Sequence, residues 1–249
     1  ATVLVDAEDN EGVEGFTVAS LAWAAGTLGC RSWDLWERLE SVACSKAVAM
    51  CTQEKANFVW AAGKVRTAIS PDVLEAVLLP FYRDAERGVD PRHLIAVLRA
   101  LPVLPRTPTS ELLLQDPQLI SRCTEELEPR HWAGALWAYA KRSVPADHPV
   151  VATIAMGCQR TLPQFDRVAL VMLVWGFASC RVDHPAVSQA VALLPPALAQ
   201  GASPQDIANA LWALAKLESH PSVANSCLTE AAVGALATTP RYLALAAWS

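Results

Sequence analysis

Residues 203–217 read Ser-Pro-Gln-Asp-Ile-Ala-Asn-Ala-Leu-Trp-Ala-Leu-Ala-Lys-Leu. Ser203 is a strong N-cap. Pro204 suits the first helical position, where its missing N–H would have no partner anyway. Asp206, three residues after Ser203, completes a capping-box pattern. The stretch is rich in Ala and Leu at spacings of three and four, so it predicts a helix and not a strand, which would alternate. Around Trp212 stand small residues: Ala208 four before, Ala213 one after and Ala215 three after.

The same frame recurs along the chain. Trp23, Trp60, Trp137, Trp175, Trp212 and Trp248 fall in one register with Arg99 in the slot between Trp60 and Trp137, at steps of 37, 39, 38, 38, 37 and 36 residues. Six of the nine Trp obey this period, which marks an array of repeated units. Eight residues before the slot stand Pro91, Pro129, Pro204 and Pro240, preceded by the helix starters Asp90, Glu128, Ser203 and Thr239. Small residues flank the slot in the other copies too, and let a neighbouring helix approach. This first helix is expected to run about 14 residues, close to four turns. Ser70-Pro71, His148-Pro149, His184-Pro185 and His220-Pro221 open a second helix, and Pro80 and Pro195 are expected to mark its end.

The pattern predicts an all-α fold, a right-handed α-solenoid of helix–turn–helix repeats of about 38 residues. An acidic N-terminal extension covers 1–15. One array covers 16–249, with repeats at 16–51, 52–89, 90–127, 128–165, 166–202 and 203–238 and a partial one at 239–249. The third repeat is degenerate: it has Arg99 for Trp, Pro102 for a small residue, and a Pro-rich connection through Pro105 and Pro108. A solenoid end normally carries a polar cap, so further chain or a partner is expected beyond Ser249.

Of the 249 residues, 53% are apolar and only 11 are Gly, enough to bury a continuous core. The net charge of −5 comes from Asp6, Glu8, Asp9, Glu11 and Glu14, leaving an array with as many basic as acidic residues. Neutrality argues against strong non-specific nucleic-acid binding but leaves room for a basic strip on one face. The seven Cys include no Cys-x-x-Cys pair. Cys44 and Cys158 each lie 21 residues after their Trp, and read as buried structural thiols in a reducing compartment. The uncharged run Val168–Cys180 is too short to span a bilayer, so no membrane insertion is expected. Ala1 at the start suggests a processed N-terminus that has already lost any targeting segment. There is no phosphate loop, no nucleophile elbow and no metal-ligand spacing, so no enzyme activity, cofactor, metal or small-molecule substrate is expected.

Residues 203–217 followed by His220-Pro221 resemble the octotricopeptide repeat and its relative of about 37 residues, the heptatricopeptide repeat. Glu128-Pro129 through Lys141 with His148-Pro149 is a second such copy, and Gln53–Lys64 a weaker one. The resemblance runs over nearly the whole chain from Phe16. It implies a nucleus-encoded, non-enzymatic organellar protein in the mitochondrial matrix or the plastid. It also implies partners in organellar RNA, rRNA above all, and in neighbouring proteins of a large assembly such as the mitochondrial ribosome; the alternatives are a protein scaffold of an organellar complex without RNA and a free organellar RNA-processing or stability factor. The RAP domain that many such proteins carry is not seen in these residues.

Function must then be sought on a repeated surface. The Trp ladder could stack on bases, but each indole stands among Ala, Leu and Val on both sides, so core packing is the expectation. An enclosed Trp212 would cost about 3–5 kcal/mol on replacement by Ala. Asn57 and Asn209 lie three residues before their Trp, and Lys64, Lys141 and Lys216 four after. Seven residues is nearly two turns, so each Asn shares a face with its Lys. Such a stripe can read bases and hold phosphates, or serve as inter-repeat hydrogen bonds and helix-dipole cations. Arg92, Arg130 and Arg241 follow a helix-start Pro, where a phosphate seat competes with the acid beside each of the first two. His148, His184 and His220 recur 36 residues apart, but repeat spacing of about 8–10 Å forbids shared ligation, and turn or capping roles fit better. Arg99, where the ladder loses its indole, is the last candidate.

Overall fold

The computed structural model describes residues 14–66, 69–199 and 201–217. The expectations on residues 1–13, His220-Pro221, Pro240, Arg241 and Trp248 lie outside the described residues. Every regular element among the described residues is helical. The chain divides into two compact units, Ala1–Cys123 and Thr124–Ser249. Each is a stack of helix pairs, as the period predicts.

In the first unit the leading helices are α1 (Gly15–Leu28), α3 (Thr52–Val65) and α5 (Pro91–Ala100). The second helices are α2 (Trp33–Lys46), α4 (Pro71–Arg87), and the short pair α6 (Pro108–Gln115) and α7 (Pro117–Ser121). In the second unit the leading helices are α8 (Pro129–Lys141), α10 (Arg167–Cys180) and α12 (Pro204–Lys216), and the second helices are α9 (Pro149–Gln159) and α11 (Pro185–Leu198). Leading helices pack on leading helices, α1 on α3 on α5 and α8 on α10 on α12. Second helices pack likewise, α2 on α4 on α6 and α9 on α11. Each unit thus has two layers with the core between them.

The helix starts follow the caps. Asp90 accepts from the Arg92 N–H at 2.8 Å. Ser203 accepts from the Asp206 N–H, and Asp206 from the Ser203 N–H at 3.0 Å, closing the capping box. His148 and His184 cap α9 and α11, each accepting at Nδ1 from the N–H two residues on. Six residues after the slot the chain turns through the left-handed region: Gly29 (φ 68°), Arg66 (φ 53°), Ser143 (φ 56°) and Arg181 (φ 54°). Only Gly29 does so without a steric cost.

Small residues do the work expected of them. A Cβ on Gly26 would lie 3.0 Å from Ala61 Cα and 3.3 Å from the Trp60 ring, and one on Gly63 would lie 2.8 Å from Ala100 Cβ. The third residue after one slot therefore seats the next leading helix. In the third repeat α5 ends at Ala100 and passes through a 3-10 turn, Leu101–Val103, at Pro102. The expected degeneracy is real.

Two expectations are corrected. Pro80 and Pro195 do not end their helices; α4 runs on to Arg87 and α11 to Leu198. Leu74, Val77, Leu78, Phe81 and Ala85 are buried on both sides of Pro80. That burial outweighs the roughly 3 kcal/mol that an interior Pro costs a helix. The second correction concerns thiols. Cys158 is buried, but Cys44 is exposed, as is Cys51. Cys44 lies eleven residues into α2 from Trp33 and Cys158 nine into α9 from Pro149. Two residues turn a helix by about 200°, so the shared spacing from Trp lands on opposite faces.

Candidate nucleic-acid interface

The slot and the positions seven and three before and four after it fall within an arc of about 60° on an ideal helix. On α3 these four positions are Gln53, Asn57, Trp60 and Lys64; on α12 they are Gln205, Asn209, Trp212 and Lys216. On α8 they are Arg130, Gly134, Trp137 and Lys141, and on α5 Arg92, Ala96 and Arg99, the fourth position falling at Val103 in the 3-10 turn beyond the helix. On α1 and α10 they are apolar or hydroxylated: Phe16, Ser20, Trp23 and Thr27, and Val168, Met172, Trp175 and Ser179. Within each unit this arc is the outward face of the leading-helix layer.

The ladder indoles are not enclosed. Trp23 is 49% exposed, and Trp60, Trp137, Trp175 and Trp212 are half-buried. The enclosed tryptophans are off the ladder: Trp36 and Trp132, each 1% exposed. Trp36 packs on Phe58 at 6.4 Å and donates from Nε1 to the Cys30 carbonyl at 2.9 Å. Trp132 lies against Gly157, where a Cβ would sit 2.3 Å from the indole. The slot is a surface position because the second helices cover only one side of each leading helix.

In the second unit the ladder is continuous with its cations. Trp175 and Trp212 stack at 5.7 Å between centroids, 27° apart. The Lys141 Nζ lies 4.6 Å from the Trp175 centroid and 5.9 Å from that of Trp137, bridging two repeats, and the Lys216 Nζ lies 6.0 Å from Trp212. An ammonium over an indole is attracted by the ring quadrupole and keeps its outer hydrogens free for an anion. In the first unit Lys64 and Arg99 are exposed on the same arc. Partial desolvation lowers the Arg99 guanidinium from its ordinary value, and at neutral pH it stays charged. None of these four cations has a carboxylate partner among the described residues.

Arg92 and Arg130 are different. Arg92 is held by Asp90 at 2.6 Å, and its guanidinium holds the Asp90 carboxyl down at about 2. Arg130 pairs with Glu128 at 2.9 Å. Both guanidinia are thus spoken for by the acid at their own helix start. The amides are not tied to neighbouring repeats. Asn57 makes no side-chain hydrogen bond among the described residues, and Asn209 accepts from Gln205 on its own helix at 2.8 Å. Arg241 lies outside the described residues.

Charge is segregated between the layers. The six described leading helices carry eight Lys and Arg against two Asp and Glu; α2, α4 and α6 carry four against eight, and α9 and α11 carry neither. The two carboxylates of the leading helices, Glu54 and Asp206, are both engaged in first turns, Glu54 with the Cys51 N–H and Asp206 with Ser203 and Arg167. The six described arcs carry no carboxylate. An array that is neutral in sum therefore presents one cationic, aromatic face in each unit.

Two pairings escaped the sequence reading. Lys55, 2% exposed, reaches Asp84 on α4 at 2.7 Å. Glu75 on α4 accepts from the Thr109 N–H and Oγ1 at 3.1 and 2.6 Å, joining neighbouring second helices. Burial pushes the Glu75 carboxyl up, but the hydrogen bonds from Thr109 and Thr107 outweigh it and hold it below its usual range. Neither had a signal, since both depend on a contact between helices more than 25 residues apart.

Among the described residues no His, Cys, Asp and Glu cluster is arranged to hold a metal. No described helix is long and apolar enough to cross a membrane. No protein-family model and no curated protein matches the chain.

Proposed function

We propose that this is a non-enzymatic helical-repeat protein that associates with single-stranded RNA through the leading-helix face. The observation that carries the reading is the arc itself: half-buried indoles, free cations and no carboxylate. Exposed indole faces stack on bases of any sequence, and ammonium groups four residues on reach the phosphates. The repeat period, the Pro at the helix start and the small residues around Trp support an octotricopeptide or heptatricopeptide type. On that resemblance the protein is a structural component of an organellar ribonucleoprotein, the mitochondrial ribosome first, in the matrix. The plastid is the alternative compartment.

The test is copurification of the native protein with and without nuclease, followed by RNA binding at increasing salt. Nuclease-sensitive partners are expected, with a salt slope that falls when Lys64, Lys141 and Lys216 are replaced by Ala. Removing one phosphate-bound cation lowers the slope by about 0.7 on single strands. Copurification with a protein complex free of RNA, and no RNA binding at low salt, would make the protein a scaffold instead. The acidic second-helix layer of the first unit would then be the docking face.

A further inference from the structure

Two of the six described arcs are the same. Gln53, Asn57, Trp60 and Lys64 in the first unit repeat as Gln205, Asn209, Trp212 and Lys216 in the second. No other described arc carries an amide at either of the first two positions. We propose that these amide pairs are specificity-determining and that the two surfaces select the same unpaired RNA base. The proposal rests on the RNA reading above.

The chemistry of the four positions divides the labour. The Lys is a point charge for phosphate and reads nothing. The indole stacks on any base and discriminates weakly. Only the amides present a donor and an acceptor from one planar group, which is what the edge of a base answers. These amides have no structural work that would explain them. Asn57 is half-buried without a side-chain hydrogen bond, and the bond between Gln205 and Asn209 stays within one helix. Asn is a poor helix-interior residue, and the equivalent place is Ala96 in α5 and Gly134 in α8. The bond between Gln205 and Asn209 also holds both amides together along the arc, pre-set beside the indole that would carry the base. Hydroxyl or apolar side chains at the same places on α1 and α10 stack or pack without reading.

The test uses the full chain and a pool of random single-stranded RNA, sequenced before and after capture. Enrichment of one base is expected. Asn57→Ala and Asn209→Ala are each expected to reduce the preference for that same base roughly tenfold, with the salt slope unchanged. Asn57→Asp and Asn209→Asp keep the size of the side chain and check the result independently of any effect on folding, which is followed by circular dichroism. If RNA binds without base preference, the amide pairs do not read; if the two Asn variants alter preferences for different bases, the two surfaces do not select the same one, and the proposal fails. The RNA-binding face would still stand. If the unaltered chain binds no RNA at low salt, both readings fall together.

Discussion

Replacing Trp132 and Trp175 by Ala, one at a time, separates an enclosed indole from a ladder indole. Trp132 is 1% exposed and rests on Gly157. Its removal leaves a closed cavity, and the expected loss is about 4 kcal/mol, within the usual range for a buried Trp. Trp175 is half-buried, stacked on Trp212 and covered by Lys141. An indole of about 200 Å² with two thirds of its area out of water contributes roughly 3 kcal/mol at about 25 cal/mol per Å². Ala restores about 0.5 kcal/mol through its better helix propensity, and water fills the open notch so that no cavity cost is added, leaving a net loss of about 2.5 kcal/mol. The same reasoning lowers the expectation for Trp212 from about 3–5 kcal/mol to about 2.5 kcal/mol. Urea titration followed by far-UV circular dichroism measures both variants without relying on the fluorescence of the residue removed. RNA binding is then read on the folded proteins: Trp175→Ala is expected to bind about tenfold more weakly, because Lys141 and Trp212 lose the ring that holds them on the face, and Trp132→Ala as the parent does. Should Trp175→Ala cost as much stability as Trp132→Ala, the ladder is core and the surface reading is wrong.

Arg181→Gly relieves a left-handed residue at φ 54° and is expected to stabilise by about 0.5–1 kcal/mol in thermal melts, with Arg66→Gly similar. Thiol labelling of the folded chain is expected to modify Cys44 and Cys51, while Cys158 and Cys180, pushed by burial up to about 12 and about 11, react only in denaturant. Asp90 is lowered from 3.8 to about 2, chiefly by the Arg92 side chain, so its contribution is complete above about pH 4 and fades as pH falls through 2. For this partly solvated pair the contribution is about 1 kcal/mol, and Asp90→Asn, which can still cap α5, is expected to be less stable by that amount at neutral pH and equal to the parent below pH of about 2.

The helix starts were legible because their cause is local. A cap followed by Pro needs only adjacent residues, and Ser70, Asp90, Glu128, His148, His184 and Ser203 all precede described helices. Helix ends were less so, because an interior Pro is tolerated wherever enough apolar surface is buried around it, as at Pro80. Equivalence between repeats holds along the leading helices and decays in the second ones. Four residues separate α1 from α2 and seven separate α8 from α9. Counted from the slot, α2 begins ten residues on and α9 twelve, and this slip of two residues rotates the following helix by about 200°, which is why Cys44 and Cys158 share a spacing and not an environment.

Net charge left the two faces undistinguished for a related reason: a sum over the array averages two layers with different surroundings. The Trp period misled because regularity looks the same whether a position is buried or merely repeated. Arg99 resolves that ambiguity. A guanidinium in an enclosed slot would be an unpaired buried charge, costing several kcal/mol. In this fold it is exposed, with no carboxylate beside it. A planar cation can stand in for an indole only where the slot needs a flat face or a positive charge, since Arg stacks on aromatic planes as Trp does. The substitution that seemed to break the ladder is therefore the one that marks the ladder as a surface. It also predicts that Arg99→Ala weakens RNA binding while leaving stability within about 0.5 kcal/mol, and a large drop in stability with RNA affinity intact would return the slot to the core.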